Sequence, residues 1–439
     1  MTHSKLYSVC YQVDQQGFIY FPKVTICNYN RFVKTRLTNE DLEFMKPLVK
    51  LYDYEYATYD EPDDEVDEFW DKEGGASQND TFFDFGDLFN RAGFWLNESL
   101  IWCEWKGRKD KCTAANFTAV VIPEYGLCYT FGRDDDDDDD DDDYDDNDDD
   151  EIQDLPGAGH GLRMLIDIKQ DEYTELFPDG HPEAGVRFVV HGSTQTPLVD
   201  TLGFSAAPGF HTYVTLSKSN FEGLPKPWGQ CKKSLDEKST LVYTRSDCVI
   251  EKKREFLLKK CKCVPFGYPN NIRSDNICSP KQMASCVGKA MQKYRPEQCE
   301  CPSGCIETTF KSTISTALFP GSNVVKDVAK KFLTDANSTA EDSTAEEDAE
   351  DLATSVNFIR TNWVLLDIYF DELSVTTYKQ VEAMTFSDLL ADLGGQLGLF
   401  LGMSAITAAE ILEYLLRKVY SIYAGTRSNN VVKVININT

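Results

Sequence analysis

Short segments rich in β-branched and aromatic residues recur along the chain and predict β-strands. Gly17 to Phe32 has this composition and then enters a polar turn, which is typical of a strand that ends in a loop. The same pattern returns in "FTAVVIPEYGLCYTF", "GLRMLIDI", "GVRFVVHG" and "HTYVTLS", and in the long "NWVLLDIYFDELSVTTYKQ". The hydrophobic pattern therefore predicts a β-rich domain over most of the chain.

Helical patterns interrupt these strands in two places. The segment "DCVIEKKREFLLKKC" predicts a helix inside the cysteine-rich residues 240–310. Residues 334–356 are polar and acidic, and we expect an exposed helix or loop there. Strands and helices are thus segregated along the sequence, which favours the α+β class.

One segment near the end of the chain is long and apolar enough to cross a bilayer. Between Leu393 and Leu416 the only charged residues are Glu410 and Glu413, and about 20 apolar residues suffice for a span. Arg417 and Lys418 follow at once, and basic residues mark the cytoplasmic side. We therefore predict a transmembrane helix over 386–418, a cytoplasmic tail over 419–439 and an extracellular region over 1–385.

The charge of the chain excludes one class of partner. The formal net charge is −29, so nucleic acid is not an expected partner. Much of this charge comes from 134–154, which holds seventeen acidic residues and no basic ones, ten of them consecutive aspartates. Such a run repels itself and buries nothing, so we interpret 133–154 as a solvated insertion and not as a calcium site, which needs oxygens placed by a turn.

Cysteine usage indicates an oxidising compartment. The fourteen cysteines lie at irregular spacings, most densely between Cys231 and Cys305, as in a disulfide framework. Zinc binding by Cys261-Lys-Cys263 or Cys299-Glu-Cys301 is the weaker alternative, because zinc sites more often use Cys-x2-Cys pairs. Four glycosylation sequons, which agree with an extracellular location, begin at Asn79, Asn97, Asn116 and Asn337.

The amino terminus carries no hydrophobic run of signal-peptide length. An extracellular region needs a route across the membrane, so either an upstream segment precedes these residues or the later apolar segment directs export by itself. We expect the first of these, a chain that lacks a first transmembrane helix.

The apolar segment "GGQLGLFLGMS" contains features that a simple membrane anchor does not need. Gly394, Gly398 and Gly402 recur every four residues and share one helix face, where small residues let helices approach closely. A dimerising anchor would use the glycines but not the charged Asp392, Glu410 and Glu413, because charges within spans usually face a pathway. Gly402-Met403-Ser404 can break the helix and free its carbonyl oxygens. These features favour a cation pathway.

These residues resemble the pore segment of the degenerin/epithelial sodium channel family, with its Gly-x-Ser filter motif. Further blocks match that family in order, and several are most similar to its acid-sensing branch: "FPKVTICN", "GLRMLIDIKQDEY", "LGFSAAPGFHTYVTL", "LPKPWGQC", "CKC", "CECPSGC" and "NWVLLDIYFDELSVTT". The resemblance covers nearly the whole chain.

The resemblance implies a plasma-membrane, multi-pass subunit of a homo- or heterotrimeric, amiloride-sensitive sodium channel. Its extracellular domain would consist of palm and β-ball strands at about 17–28, 160–230 and 357–378, a finger and knuckle at about 33–130, and a thumb at about 236–310. Gly402, Met403 and Ser404 would form the selectivity filter. Ala391 would stand where bulky residues hold degenerin channels open, beside Asp392, Gly394 and Gly395, and Trp228 would couple the palm to the pore.

The resemblance also implies a disulfide connectivity, which spacing alone leaves open. The implied pairs are Cys27–Cys128, Cys103–Cys112, Cys231–Cys305, Cys248–Cys301, Cys261–Cys286 and Cys263–Cys278. Cys10 and Cys299 are left over, and the family's usual partner for Cys299 is replaced by Lys252.

The agonist does not follow from the resemblance. Acid-sensing channels pair carboxylates between finger and thumb, where like charges raise one another's pKa. The matching positions here hold Thr194 and Gln195, and Gly288 and Gln292, while Tyr7 stands where a histidine is expected and His3 lies nearby. A peptide-gated sodium channel is therefore the nearest rival. A single-span disulfide-rich receptor and a non-conducting modulatory subunit remain further alternatives. No enzyme motif, metal site or cofactor is expected.

Overall fold

The computed structural model describes residues 7–41, 85–132, 152–174, 181–233, 243–268, 277–279, 282–295, 300–328, 345–402 and 404–432 of the 439-residue chain. The chain divides into two compact units, Cys10–Lys379 and Met1–Val9 with Gln380–Thr439. Predictions made for the ten-aspartate run, His3, Asn79, Asn337, Cys299 and Met403 fall outside the described residues.

The strands of the described residues follow the composition that the sequence shows. In chain order they are β1 (Tyr7–Gln15), β2 (Ile19–Tyr20), β3 (Lys23–Asn28), β4 (Leu100–Trp105), β5 (Phe117–Ile122), β6 (Gly126–Phe131), β7 (Ile152–Gln153), β8 (Leu162–Asp167), β9 (Val186–His191), β10 (Phe204–Ala206), β11 (Phe210–Glu222), β12 (Ile306–Leu318) and β13 (Trp363–Glu382).

The α-helices lie mainly in the second half of the chain. They are α1 (Phe85–Ala92), α2 (Leu96–Ser99), α3 (Val199–Leu202), α4 (Arg245–Cys261), α5 (Gly288–Lys293), α6 (Ala345–Asn362), α7 (Phe386–Leu401) and α8 (Ala405–Val432). A single turn of π-helix, Met283–Val287, precedes α5 directly.

The larger sheet has the order β12-β11-β13-β8-β4, with β1 also paired to β13. Strands β11 and β13 are parallel, whereas β11–β12, β13–β8 and β4–β8 are antiparallel. Parallel neighbours need a long crossover, and this one contains α4, α5, β12 and α6. The first residues of β13, Trp363 to Phe370, are almost all buried, so this long predicted strand is confirmed as the centre of the sheet.

The second sheet has the order β10-β9-β3-β6-β5. Every residue of its central strand β3 is buried. Ile26 and Phe188 of this sheet share one hydrophobic core with Ile166 and Phe370 of the larger sheet. Each such side chain contributes about 1.5–3 kcal/mol when it is fully buried, so this core is the main reason that the two sheets pack together.

A helical, disulfide-rich region builds on α4. Thr244 caps this helix by accepting a hydrogen bond from Asp247 N at 3.1 Å, and its last residue, Cys261, is disulfide-bonded to Cys286. Behind α4 lies a second core of buried residues that includes Leu257 and Val264. The expectation of a β-rich domain with a disulfide-rich helical part is therefore confirmed.

The described residues contain six disulfides, and they are the six pairs that the family resemblance implies. They join Cys27–Cys128, Cys103–Cys112, Cys231–Cys305, Cys248–Cys301, Cys261–Cys286 and Cys263–Cys278. Cys10 is an exposed free thiol. Because Cys261 and Cys263 are both oxidised, neither thiolate is free to bind zinc.

Three features go beyond what the sequence predicts. Helix α6 continues to Asn362, past the polar segment 334–356, and β13 begins at Trp363, as the run "NWVLLDIYFDELSVTTYKQ" predicts. Ile359, which is fully buried, packs with Trp363 and Leu165 and holds the last helical turn on the sheet. Strand β12 begins at Ile306 and pairs along the whole of β11, and strand β1 was not predicted.

Candidate functional site

The start of α7 is fixed by a capping box three residues after β13 ends. Thr385 Oγ1 accepts a hydrogen bond from Asp388 N at 3.2 Å, and the Asp388 carboxylate accepts one from Thr385 N at 2.9 Å. Such a cap stabilises a helix by about 1 kcal/mol. Strand β13 is thereby joined to α7, the candidate pore helix, by a short segment whose helical end is well defined.

The candidate filter residues lie at a break between two helices. Helix α7 ends at Leu401, and Gly402 adopts a left-handed conformation with φ of +62° while its N–H bonds to Gly398 O at 3.0 Å. Glycine is favoured there because other residues are strained at positive φ. The break falls where the sequence led us to expect it, although Met403 itself lies outside the described residues.

Ser404 begins the next helix, α8. Its Oγ accepts a hydrogen bond from Thr407 N at 3.3 Å, and its carbonyl oxygen accepts one from Ala408 N at 3.1 Å. The final carbonyl oxygens of a helix have no intrahelical donors, so the end of α7 leaves carbonyl oxygens available shortly before Ser404 in the chain. Oxygens of this kind can replace the hydration water of a cation.

The other candidate pore residues on α7 have few contacts within the chain. Ala391, Asp392, Gly394 and Gly395 are exposed and Gly398 is half-exposed. A Cβ added at Gly394 or Gly395 would meet no atom of the described residues within 4 Å. Contacts inside this chain therefore do not require glycine at these two positions.

Helix α8 carries the two acidic residues that the sequence placed near the inner end of the apolar segment. The Glu413 carboxylate accepts a hydrogen bond from Arg417 at 2.5 Å, one turn along the helix, and Glu410 is exposed without such a contact among the described residues. The Arg417 guanidinium therefore offsets the charge of Glu413.

In the described part of the chain, no helix combines the length and the apolar character that crossing a membrane requires.

Thr194 and Gln195, two of the positions expected to replace proton-binding carboxylates, lie in a loop after β9. Gln195 accepts a hydrogen bond from Gly192 N and donates one to Thr308 O on β12, both at 3.1 Å. The next residue, Thr196, donates to Asp247 of α4 at 2.5 Å. This loop therefore links the second sheet to both the larger sheet and helix α4 through neutral donors.

The thumb positions matched to the partner carboxylates lie on α5. Gly288 and Gln292 are exposed, whereas Ala290 is buried in the disulfide-rich core. Neither exposed residue can carry a titrating charge, so the described residues at these four positions form no carboxylate pair.

A lysine-centred cluster joins α4 to the second sheet, and the sequence did not reveal it. Lys253 Nζ lies 2.5 Å from Glu124 Oε1 and 3.4 Å from Asp200 Oδ2. Burial alone would lower the pKa of Lys253, but Glu124, Tyr268 and Asp200 outweigh it and raise the pKa above its usual value. The ammonium therefore stays charged, and we call Lys253, Glu124 and Asp200 the thumb clasp.

A second charged group lies at the centre of the larger sheet. Asp367 on β13 is fully buried and accepts hydrogen bonds from Arg163 Nε at 3.2 Å and Gly159 N at 3.3 Å. Burial raises the pKa of this carboxyl, and Arg163 offsets the rise only in part. Arg163 also contacts Glu104 at 3.3 Å, so the buried carboxylate is tied to β8 and β4.

The remaining candidate residues lie on the surface of the larger unit. Trp228 is half-buried, just past the end of β11 and three residues before the Cys231–Cys305 disulfide. The sequon asparagines Asn97 and Asn116 are exposed, which is the exposure that a glycan requires.

Comparisons with known proteins agree on one group. The sequence model of the family described as amiloride-sensitive sodium channel matches residues 3–414. Acid-sensing ion channel 1C of Danio rerio is 30% identical over 405 residues, 90% of this chain and 70% of that protein. Acid-sensing ion channel 1 of Gallus gallus is 30% identical over 406 residues, with the same two shares. Acid-sensing ion channel 4 of Homo sapiens is 30% identical over 406 residues, 90% of this chain and 66% of that protein.

Proposed function

We infer that this chain, which belongs to the amiloride-sensitive sodium channel family, is a subunit of a trimeric sodium channel opened by an extracellular ligand. The family is one of ion channels and not of enzymes. The observation that carries the proposal is the helix break at Gly402, because α7 ends there within an apolar segment and Ser404 follows two residues later at the start of α8. The end of a helix leaves carbonyl oxygens without intrahelical donors.

The proposed filter consists of Gly402, Met403 and Ser404. Three copies of the α7–α8 break around a common axis would surround a permeating Na⁺ with backbone oxygens, and a ring of oxygens can select among cations. The open space around Gly394 and Gly395 suits close approach of neighbouring helices in such an assembly. Ala391 and Asp392 would face the entrance, and Glu410 would attract cations at the other end.

The proposed coupling from ligand to pore runs along β13. This strand is the centre of the larger sheet, and only residues 383–385 separate its end from α7. Its neighbour β11 pairs with β13 as far as Glu222 and Lys379, whose side chains also form an ion pair at 2.6 Å. Trp228 follows the end of β11 by six residues. A movement of the disulfide-rich thumb would reach the membrane segment through these two strands. In this proposal the chain is a plasma-membrane protein with residues before about 385 outside.

A selectivity measurement tests the filter. The chain would be expressed in oocytes as given and as a chimera that carries the amino-terminal segment of Gallus gallus acid-sensing ion channel 1. We expect an amiloride-blocked sodium current, and a loss of sodium-over-potassium selectivity in Gly402→Ala and Ser404→Cys. Ser421→Cys, also on α8, is the matched control and should keep the wild-type reversal potential. Unchanged selectivity in both filter variants would contradict the assignment.

A peptide-gated channel is the second candidate, and one observation favours it over acid gating. The four positions expected to hold paired carboxylates are neutral, and the thumb is joined to the second sheet by Lys253, whose charge does not change as the pH falls from 7.5 to 5. Protons therefore lack, at these four positions, the carboxylate pair that the resemblance implies. Applying acid steps and a panel of short amidated peptides to the same oocytes separates the two: a current evoked only by peptide supports this candidate, and a current evoked by acid alone contradicts it.

Current recordings also separate a conducting from a modulatory subunit. If the chain conducts no current alone but changes the selectivity or block of a co-expressed family member, it acts as a modulatory subunit. A trimer containing only this chain, detected by cross-linking or single-molecule bleaching, together with its own current, supports the conducting homomer.

A further inference from the structure

A cavity of about 440 Å³ lies in the larger unit where the loop after β9 faces strands β11 and β12 and the start of α4. Its size falls in the range of about 300–1,000 Å³ that small-molecule sites occupy. The residues whose chemistry matters are Tyr20, Phe21, Ser193, Thr194, Lys218 and Tyr243, all of which line it.

Lys218 gives this cavity a positive charge. It pairs in register with Phe310, so both side chains leave the sheet on the same face. Phe310 also lines the cavity. No carboxylate of the described residues forms an ion pair with Lys218, and burial lowers its pKa with no charged neighbour to offset the change. An anionic ligand would supply the missing partner.

One carboxylate, Glu307, also lines the cavity. Successive side chains of a strand point to opposite faces, and Glu307 lies three residues before Phe310 on β12. Its side chain therefore leaves the sheet on the face opposite to Lys218 and Phe310. Burial raises the pKa of Glu307, and the positive charge of Arg245 offsets this rise only in part. Glu307 therefore does not neutralise Lys218.

Some hydrogen-bonding groups of the cavity already have partners among the described residues, whereas two hydroxyls make no hydrogen bond there. Gln195 uses its amide on Gly192 N and Thr308 O, and Thr244 uses its hydroxyl on Asp247. In the part of the chain that the structure describes, the Ser193 and Thr194 hydroxyls make no hydrogen bond. Two hydroxyl donors thus accompany one ammonium, a set that matches the oxygens of a carboxylate.

The rest of the wall is aromatic and held in place. Phe21 packs against Trp105 and Phe370 with centroid distances of 4.8 and 6.1 Å. Tyr243 donates a hydrogen bond to Pro302 O at 2.8 Å. Aromatic walls fixed by such contacts favour a ligand with a flat apolar body, because binding then requires little reorganisation.

We propose that this cavity binds a small organic carboxylate with an apolar, preferably aromatic, body. Lys218 receives the carboxylate, Ser193 and Thr194 donate hydrogen bonds to it, and Tyr20, Phe21 and Tyr243 enclose the body. This inference goes beyond the proposed channel activity, because binding needs neither conduction nor a trimer.

The test measures binding of benzoate to the purified full chain by calorimetry, with benzamide as the uncharged analogue of the same shape. We expect saturable benzoate binding and at least about tenfold weaker binding of benzamide, the loss typical of removing a charge-assisted contact. Lys218→Met and Lys218→Gln should each weaken benzoate about tenfold and leave benzamide unchanged. The control is Lys311→Met, which removes an exposed lysine of β12 outside the cavity and should leave benzoate affinity intact.

Three results would overturn the proposal: absence of saturable benzoate binding, equal affinity for benzoate and benzamide, or equal weakening by Lys311→Met and Lys218→Met. The last would show that general charge, and not the cavity, attracts the anion. The binding test records no current, so a negative binding result does not contradict the proposed channel activity. A negative result in the current recordings likewise does not contradict benzoate binding.

Discussion

His191, at the end of β9, is a buried histidine whose hydrogen bonds fix its neutral form. Its Nδ1 lies 3.0 Å from Gly192 O, which can only accept, so Nδ1 carries the proton and Nε2 accepts from the Thr25 hydroxyl at 2.8 Å. Burial lowers the pKa of His191 to about 4, and the neighbouring Lys23 acts in the same direction. Protonation is therefore resisted in the folded state.

A pH dependence of stability follows from this histidine. A depressed folded pKa contributes stability above the unfolded value of about 6.5, and that contribution is lost as pH falls towards 4. This contribution to the free energy of unfolding is up to about 3 kcal/mol, at 1.36 kcal/mol per pKa unit. We expect His191→Gln to flatten the fall of the thermal midpoint between pH 6.5 and 4, measured by scanning fluorimetry. His160→Gln is the control, and an unchanged slope in His191→Gln would contradict the prediction.

The thumb clasp predicts a pH dependence of the same sign, because its contribution to stability is also lost on acidification. In Lys253→Met, Glu124 and Asp200 lose the cation between them. We expect a loss of about 1–3 kcal/mol, below the 3–5 kcal/mol of a fully buried pair, because the two carboxylates are 32% and 31% exposed. Acid should restore part of the stability by protonating them, whereas the wild-type lysine stays charged throughout.

Thermal midpoints at pH 8 and pH 4.5 check this expectation. The deficit of Lys253→Met relative to wild type should shrink at pH 4.5. Lys252→Met, which alters the adjacent and more exposed lysine of α4, should show a small deficit at both values. A deficit of equal size at both pH values would mean that Lys253 acts through its packing and not through its charge.

At the scale of elements, the disulfides differ in the length of chain they close. Cys231–Cys305 joins the end of β11 to the start of β12 across 74 residues, while Cys103–Cys112 closes only 9. Loop-closure entropy gives about 4 and about 3 kcal/mol respectively. We expect the double alanine variant of the first pair to lower the thermal midpoint more than that of the second, under non-reducing conditions. The reverse order would show that local packing outweighs chain entropy.

The sequence predicts those elements that neighbouring residues determine, and it misses those that depend on tertiary contacts. The strands around Ile26 and Leu366 follow from β-branched runs, and the break at Gly402 from a glycine that ends a helix. Strand β1 was missed although Tyr7, Val9, Tyr11 and Val13 alternate along it. Its residues are exposed along most of its length, so it has no buried face, and its pairing with β13 is a tertiary contact. The end of α6 was missed because the burial of Ile359 against Trp363 is a tertiary contact.

At the scale of the whole molecule, candidate sites could be predicted from the sequence only where their residues lie close together along the chain. Gly402 and Ser404 could be proposed as filter residues because their motif is contiguous in the sequence. Lys253 and Glu124 are 129 positions apart. Lys218 lies on β11 of the larger sheet, and Ser193 lies in the loop after β9 of the second sheet. No local pattern therefore joins the residues of either pair. The six disulfides came from family resemblance, since fourteen cysteines alone permit many pairings.

The aspartate run at 134–143 tests whether the charge of the whole molecule matters separately from its fold. It follows β6 and precedes β7 along the chain, and it supplies ten of the negative charges in a total of −29. Like charges so concentrated oppose compaction and attract cations over about one Debye length, roughly 8 Å at physiological salt. We therefore expect replacement of the ten aspartates by serines to leave the thermal midpoint equal or slightly higher.

Sodium current measured at low and at physiological ionic strength gives the second readout for this variant. If the run concentrates sodium near the entrance, the variant should lose current at low ionic strength and match wild type at physiological salt, because screening removes the long-range field. Replacement by ten glutamates is the matched control, since it keeps the charge and should keep the current. A fall of the midpoint by several degrees in the serine variant, recovered in the glutamate variant, would instead show that the charged run stabilises the folded protein.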